Sequence, residues 1–218
     1  MSKKVAVVLA GCGFQDGSEI HESVLTLLYL DKAGVEVQCA APNIEQRQVV
    51  NHLTGETTEE ERSVLVESAR ISRGNIIDLA LLNIEDYDAV VFPGGFGVAL
   101  NSCDFALRGT DCAINPDIAR CLTEAHSHGK VIGAICIAPV LVAKALGQHG
   151  IHLTIGNDPD TAAGMNALGC EHQNAATDEI IVDLTNKVVS TPAYMLATGI
   201  AQISDGIEKL VGKVLELS

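Results

Sequence analysis

The sequence predicts an α/β fold, a mostly parallel sheet covered by helices on both faces, and three observations carry that prediction. Apolar, β-branched runs alternate with helical patterns along the chain, as βαβ units require. Gly-rich or reactive-looking turns follow three of those runs, where functional loops of such sheets lie. The chain is 47% hydrophobic but only 3% aromatic, with no Trp. Its core must therefore come from Val, Ile, Leu and Ala, which suits strands buried on both faces.

The elements follow in order. Residues 3–10 form a β-branched run ending in Gly11-Cys12-Gly13, a buried strand and a tight loop. Residues 18–33 read as a helix with Ser18 as N-cap and Gly34 closing it, and residues 35–41 as a second strand ended by Pro42. Residues 58–70 are polar with a few apolar positions, a surface helix or ordered excursion. Residues 89–92 are a third buried strand, followed by Pro93-Gly94-Gly95-Phe96-Gly97. Residues 115–128 are helical with Pro116 in the first turn. Residues 131–135 are a strand and 138–146 a helix. Residues 153–155 form a short strand, 161–168 a helix, 179–182 and 187–190 a hairpin, and 194–215 a long terminal helix. With no repeat or linker, the 218 residues are expected to form one domain, 1–218.

Composition excludes several function classes. A net charge of −14 disfavours nucleic acid and anionic membranes as partners. No apolar run approaches the roughly 20 residues of a membrane span. Lys3-Lys4 before an apolar stretch is better read as the start of a strand than as a signal peptide. The seven cysteines are odd in number and none forms a C-x-x-C pair, so neither a disulfide framework nor a zinc site is expected. The seven histidines lack H-E-x-x-H spacing, so no metal is expected either. These features give a cytoplasmic expectation.

The strongest local signal is Val131-Ile132-Gly133-Ala134-Ile135-Cys136-Ile137-Ala138-Pro139. A strand runs into one candidate nucleophile and then into a helix, with Ala134 and Ala138 two residues to either side. A nucleophile elbow needs such small neighbours, because strand and helix approach closely there. The turn would strain Cys136, and the helix N-terminus would favour its thiolate. A buried structural cysteine in a βα turn is the competing reading, and Cys12 is the main rival nucleophile. In the second loop Gly94 and Gly95 are candidates to face a ligand oxygen. The Gly95 N–H would join that of Ile137 in an oxyanion hole; the plainer reading is a tight turn. Glu22 falls in the first turns of the first helix. It would tune a nearby thiol, or simply complement the helix N-terminus, and the residues alone favour the latter.

Taken together, Ser18-Glu19-Ile20-His21-Glu22, Asn51-His52-Leu53-Thr54-Gly55-Glu56, Pro93–Gly97, Cys136-Ile137-Ala138-Pro139, Leu153-Thr154-Ile155-Gly156 and Thr191-Pro192-Ala193-Tyr194-Met195 resemble the ElbB family (enhancing lycopene biosynthesis protein). That family lies in the PfpI-like branch of the class I glutamine amidotransferase-like superfamily. The resemblance implies a flavodoxin-like three-layer sandwich, a homodimer, a reactive cysteine at Cys136 and a carboxyl partner at Glu22. It also implies a cofactor-independent glyoxalase converting a small dicarbonyl, glyoxal, to glycolate without glutathione; protein deglycase is a second description in the superfamily. Two departures bear on mechanism. Ile137 stands where many relatives place His after the nucleophile, and Thr191-Pro192-Ala193-Tyr194 replaces the amidotransferase His-x-Glu. A Cys-His-Glu triad is therefore not expected, with His21 and His172 the possible substitutes. The alternative function is a non-catalytic redox sensor or regulatory binding protein with an oxidisable Cys136.

Overall fold

A computed structural model describes residues 2–218. Its main sheet has seven strands in the order β10-β11-β7-β6-β1-β2-β5: β1 Lys4–Val8, β2 Glu36–Ala41, β5 Ile76–Asp78, β6 Ala89–Phe92, β7 Val131–Ile135, β10 Ile181–Asp183 and β11 Val188–Thr191. Every pairing is parallel except the β10–β11 hairpin at one edge. Side chains alternate across such a sheet. Thus Val5, Val7 and Leu9 face one layer while Ala6, Val8 and Ala10 face the other, and all are buried. That two-sided burial is why the run is apolar without interruption.

The first layer holds α1 Ile20–Lys32, α2 Val64–Ile71 and α7 Ile200–Leu217. Ile203, Ile207, Leu210 and Val214 recur at helical spacing and seat α7 on the sheet. The second layer holds α4 Pro116–Ser127 and α5 Pro139–Leu146. Two shorter helices, α3 Phe105–Arg108 and α6 Pro159–Ala167, lie near the strand ends. This is the flavodoxin-like α/β sandwich. No helix among the described residues is long and apolar enough to cross a membrane.

Several local expectations are corrected. Ser18 does not cap α1: its Oγ accepts the Ala10 N–H at 2.8 Å, and Glu19 caps instead, accepting the Glu22 N–H at 2.7 Å. The short strand expected at 153–155 is present one residue earlier and outside the main sheet. The strand there is β8 His152–Leu153, paired in parallel with β9 Glu171–His172 in a separate ribbon. The terminal helix starts at Ile200 rather than 194, because Ala193 adopts φ 44° and residues 193–195 form a separate 3-10 turn. The helix expected within 58–70 is present as α2 from Val64, and a hairpin that the pattern does not predict, β3 Val49–Asn51 with β4 Glu56–Thr58, precedes it.

Candidate active site

The three loops singled out in the sequence meet at the carboxyl ends of β1, β6 and β7. The Glu19 N–H donates to Gly94 O at 2.8 Å, the Phe96 N–H to Phe14 O at 2.8 Å and the Gly97 N–H to Gly17 O at 2.9 Å. Cys136 ends β7 at φ 61°, in the left-handed region that a side chain adopts only under strain. Its own N–H donates to Thr191 O on the neighbouring β11 at 2.9 Å, which fixes the bend.

Glu22 is fully buried beneath this cysteine. Its Oε2 accepts the Gly94 N–H at 2.9 Å and its Oε1 the Tyr194 N–H at 3.3 Å. Gly94 therefore does not face a ligand; its N–H is committed to the carboxyl group. It must be glycine for a second reason, since a Cβ there would lie 2.5 Å from Cys136 Cβ and 2.7 Å from Glu22 Oε2. Gly95, at φ 105°, and Ile137 do reach the cavity, and both N–H groups bond to the Cys136 sulfur.

The electrostatics overturn one expectation. Burial pushes the Cys136 thiol well above its usual value of 9.0, and the charge of Glu22 pushes it further; the N–H groups of Gly95 and Ile137 only partly oppose this. With the residue 8% exposed beside a carboxyl group, the helix N-terminus does not win, and the resting thiol is protonated. Burial, then the charge of Glu19, raises Glu22 to about 8, against the pull of the Tyr194 and Gly94 N–H groups and the hydrogen bond to Cys136. A carboxyl group so placed exchanges protons near neutral pH, as a general acid or base must.

Cys136 forms part of the floor of a cavity of about 290 Å³, with Glu19, Phe14, Phe96, Phe105, Tyr194 and Met195 among its walls. Of the two candidate histidines, His21 reaches the mouth, its Nδ1 2.8 Å from the Tyr194 hydroxyl. His172 instead accepts the Ile155 N–H at 3.3 Å and is not among the lining residues. Cys12 is half-buried and has no elbow; burial, then the charges of Glu67 and Asp16 against that of Arg70, push its thiol up. Sequence reasoning missed Glu19, Thr191 and Tyr194 as parts of the site. Glu19 could have been found as an acidic residue three before Glu22, in N-cap spacing.

A parallel sheet carrying a strained cysteine on a strand-to-helix elbow defines an α/β protein of the class I glutamine amidotransferase-like fold. Residues 3–182 match the DJ-1/PfpI family, and the chain belongs to that family. It is similar to the glutamine amidotransferase-like class 1 domain-containing protein 3, mitochondrial, of Homo sapiens, with 47% identity over 99% of this chain and 83% of that protein. It is also similar to the ES1 protein homolog, mitochondrial, of Rattus norvegicus, with 46% identity over 99% of this chain and 84% of the relative. A crystal structure of an isoprenoid biosynthesis protein with amidotransferase-like domain from Ehrlichia chaffeensis superposes with a TM-score of 0.93 and 36% identity, covering 99% of each chain. The human and rat relatives overturn the cytoplasmic expectation, since both are named as mitochondrial. Seven free thiols ask for a reducing setting and do not distinguish one such compartment from another.

Proposed function

We propose that the chain is a cofactor-independent glyoxalase of the ElbB type, converting glyoxal to glycolate. The observation that carries this reading is the buried Glu22–Cys136 pair facing a cavity, with two N–H groups at the sulfur. As Cys136 Sγ adds to an aldehyde carbon, the ionised form of Glu22 takes the thiol proton and returns it to the new oxygen, whose charge is held meanwhile beside Gly95 and Ile137, so that a neutral hemithioacetal forms. The C–H proton of the resulting hemithioacetal then moves to the neighbouring carbonyl carbon, and its hydroxyl proton to that carbonyl's oxygen. One carbon is oxidised and the other reduced, so no external oxidant is required. Water cleaves the C–S bond of the thioester, releasing glycolate and restoring the thiol. Removal of dicarbonyl adducts from proteins, the deglycase description, would use the same steps.

We take residues 1–218 as one domain and the working form as a homodimer. Ile20, Val24 and Leu28 support the second point, since they form an exposed apolar stripe at i, i+4 and i+8 along α1. The sensor reading is weaker, because oxidation follows thiolate character, and burial and the charge of Glu22 keep the resting Cys136 thiol protonated. The deciding experiment measures glycolate formed from glyoxal by the wild type and by Cys136→Ala. Turnover is expected only with the cysteine present, and equal rates would remove the proposal.

A further inference from the structure

The walls around Cys136 suit something larger and less polar than a two-carbon dialdehyde. The chain has only four phenylalanines, and three of them, Phe14, Phe96 and Phe105, line this cavity. Phe14 and Phe96 are 51% and 56% exposed, an apolar aromatic surface left facing water at the mouth. Singly exposed apolar residues are ordinary; a cluster concentrated at one concave site is a binding signature. The volume of about 290 Å³ approaches the ~300 Å³ lower end of pockets that hold ring-sized ligands. Glyoxal would leave most of it filled with water.

Charge narrows the choice. Among the described residues no Lys, Arg or His lines the cavity itself, and its one ionisable carboxyl is Glu19; His21 stands outside it at the mouth, within 3.9 Å of Glu19. A substrate bearing a carboxylate or phosphate would find no cation there and would meet Glu19 in a protein already at −14. Glutathione adducts fail on the same ground.

We infer that the site takes uncharged, ring-bearing 2-oxoaldehydes, the ring against the Phe96–Phe105 wall and the aldehyde carbon at Cys136, in preference to glyoxal and to anionic dicarbonyls. The inference rests on the glyoxalase reading for its chemistry. The steps are those given for glyoxal, with the ketone carbon receiving the proton and a 2-hydroxy acid leaving.

The test compares kcat/KM for phenylglyoxal, glyoxal and 4-carboxyphenylglyoxal, at concentrations where intact mass shows no arginine adduct. Phenylglyoxal should exceed both others by about tenfold or more. Ala106→Arg, at an exposed position of the cavity wall, should narrow the gap between phenylglyoxal and its carboxylate. An activity-independent arm measures protection of Cys136 from iodoacetamide, expected with acetophenone and not with benzoate. Glyoxal turned over as fast as phenylglyoxal would overturn this inference and leave the glyoxalase reading standing. Protection by acetophenone without turnover of any dicarbonyl would support the apolar site and sink that reading. Equal protection by acetophenone and benzoate would overturn the ligand class proposed.

Discussion

Gly94 and Glu22 are locked together: the glycine N–H donates to Oε2 at 2.9 Å, and a Gly94 Cβ would stand 2.7 Å from that same oxygen. The backbone thus reaches a buried carboxyl group only because nothing projects from it.

Gly94→Ala should therefore damage both stability and rate. The added methyl would lie 2.5 Å from Cys136 Cβ, so cysteine or carboxyl must move. Overpacking of this kind costs about 1–3 kcal/mol, and a displacement near 1 Å at reacting groups costs roughly 100-fold in rate. Urea unfolding and initial glycolate rates check the two effects separately.

Backbone strain at Cys136 makes a second prediction. At φ 61° any side chain is penalised, by about 1–2 kcal/mol in this region. Cys136→Gly and Cys136→Ala both remove the sulfur, and only the first relieves the backbone. The glycine variant should be more stable than the alanine variant by about 1 kcal/mol, read from denaturation midpoints. Equal midpoints would mean that the bend is unstrained.

Glu22 gives stability a pH slope of known sign. Its carboxyl titrates at about 8 in the folded protein, against 4.5 ordinarily. Between those values the folded chain holds a proton that the unfolded chain has lost, so ΔG of unfolding falls as pH rises. The contribution is complete below 4.5 and is lost as pH passes through about 8. Glu22→Gln should flatten this part of the curve in melts run from pH 4 to pH 9. A wild-type curve that rises over the window would contradict the assignment.

The thiol should answer to the same residue. Burial and then the Glu22 charge hold Cys136 above its usual value, so its alkylation should be slow at neutral pH and accelerate into the alkaline range. Removing the charge in Glu22→Gln should move the midpoint of that profile downward, read by iodoacetamide labelling and mass spectrometry. An upward move would mean that Glu22 normally donates to the sulfur rather than repelling its ionised form.

Much of this site is legible in the order of residues. Ala134 and Ala138 announce the elbow, because only small side chains let strand and helix close around Cys136. The glycines at 94 and 95 announce close backbone approach, though not what approaches. The ionisation state was not legible, since it depends on how completely neighbouring layers exclude water from the sulfur. Nor was the hydrophobic wall: Phe14, Phe96 and Phe105 lie on separate segments and become neighbours only when β1 and β6 lie side by side and α3 folds against the cavity. Tyr194 reads as part of a helix by pattern, but the left-handed turn at Ala193 diverts it toward Glu22.

The carbonyl of Thr191 holds the amide of Cys136 and the amide of Tyr194 holds the carboxyl of Glu22, so one short segment near the end of the chain tethers both. The reacting atoms and the latch that holds them therefore sit on different stretches of the chain. Exchanging a handful of tail residues could therefore retune the chemistry of such a protein while its reactive atoms stay where they are.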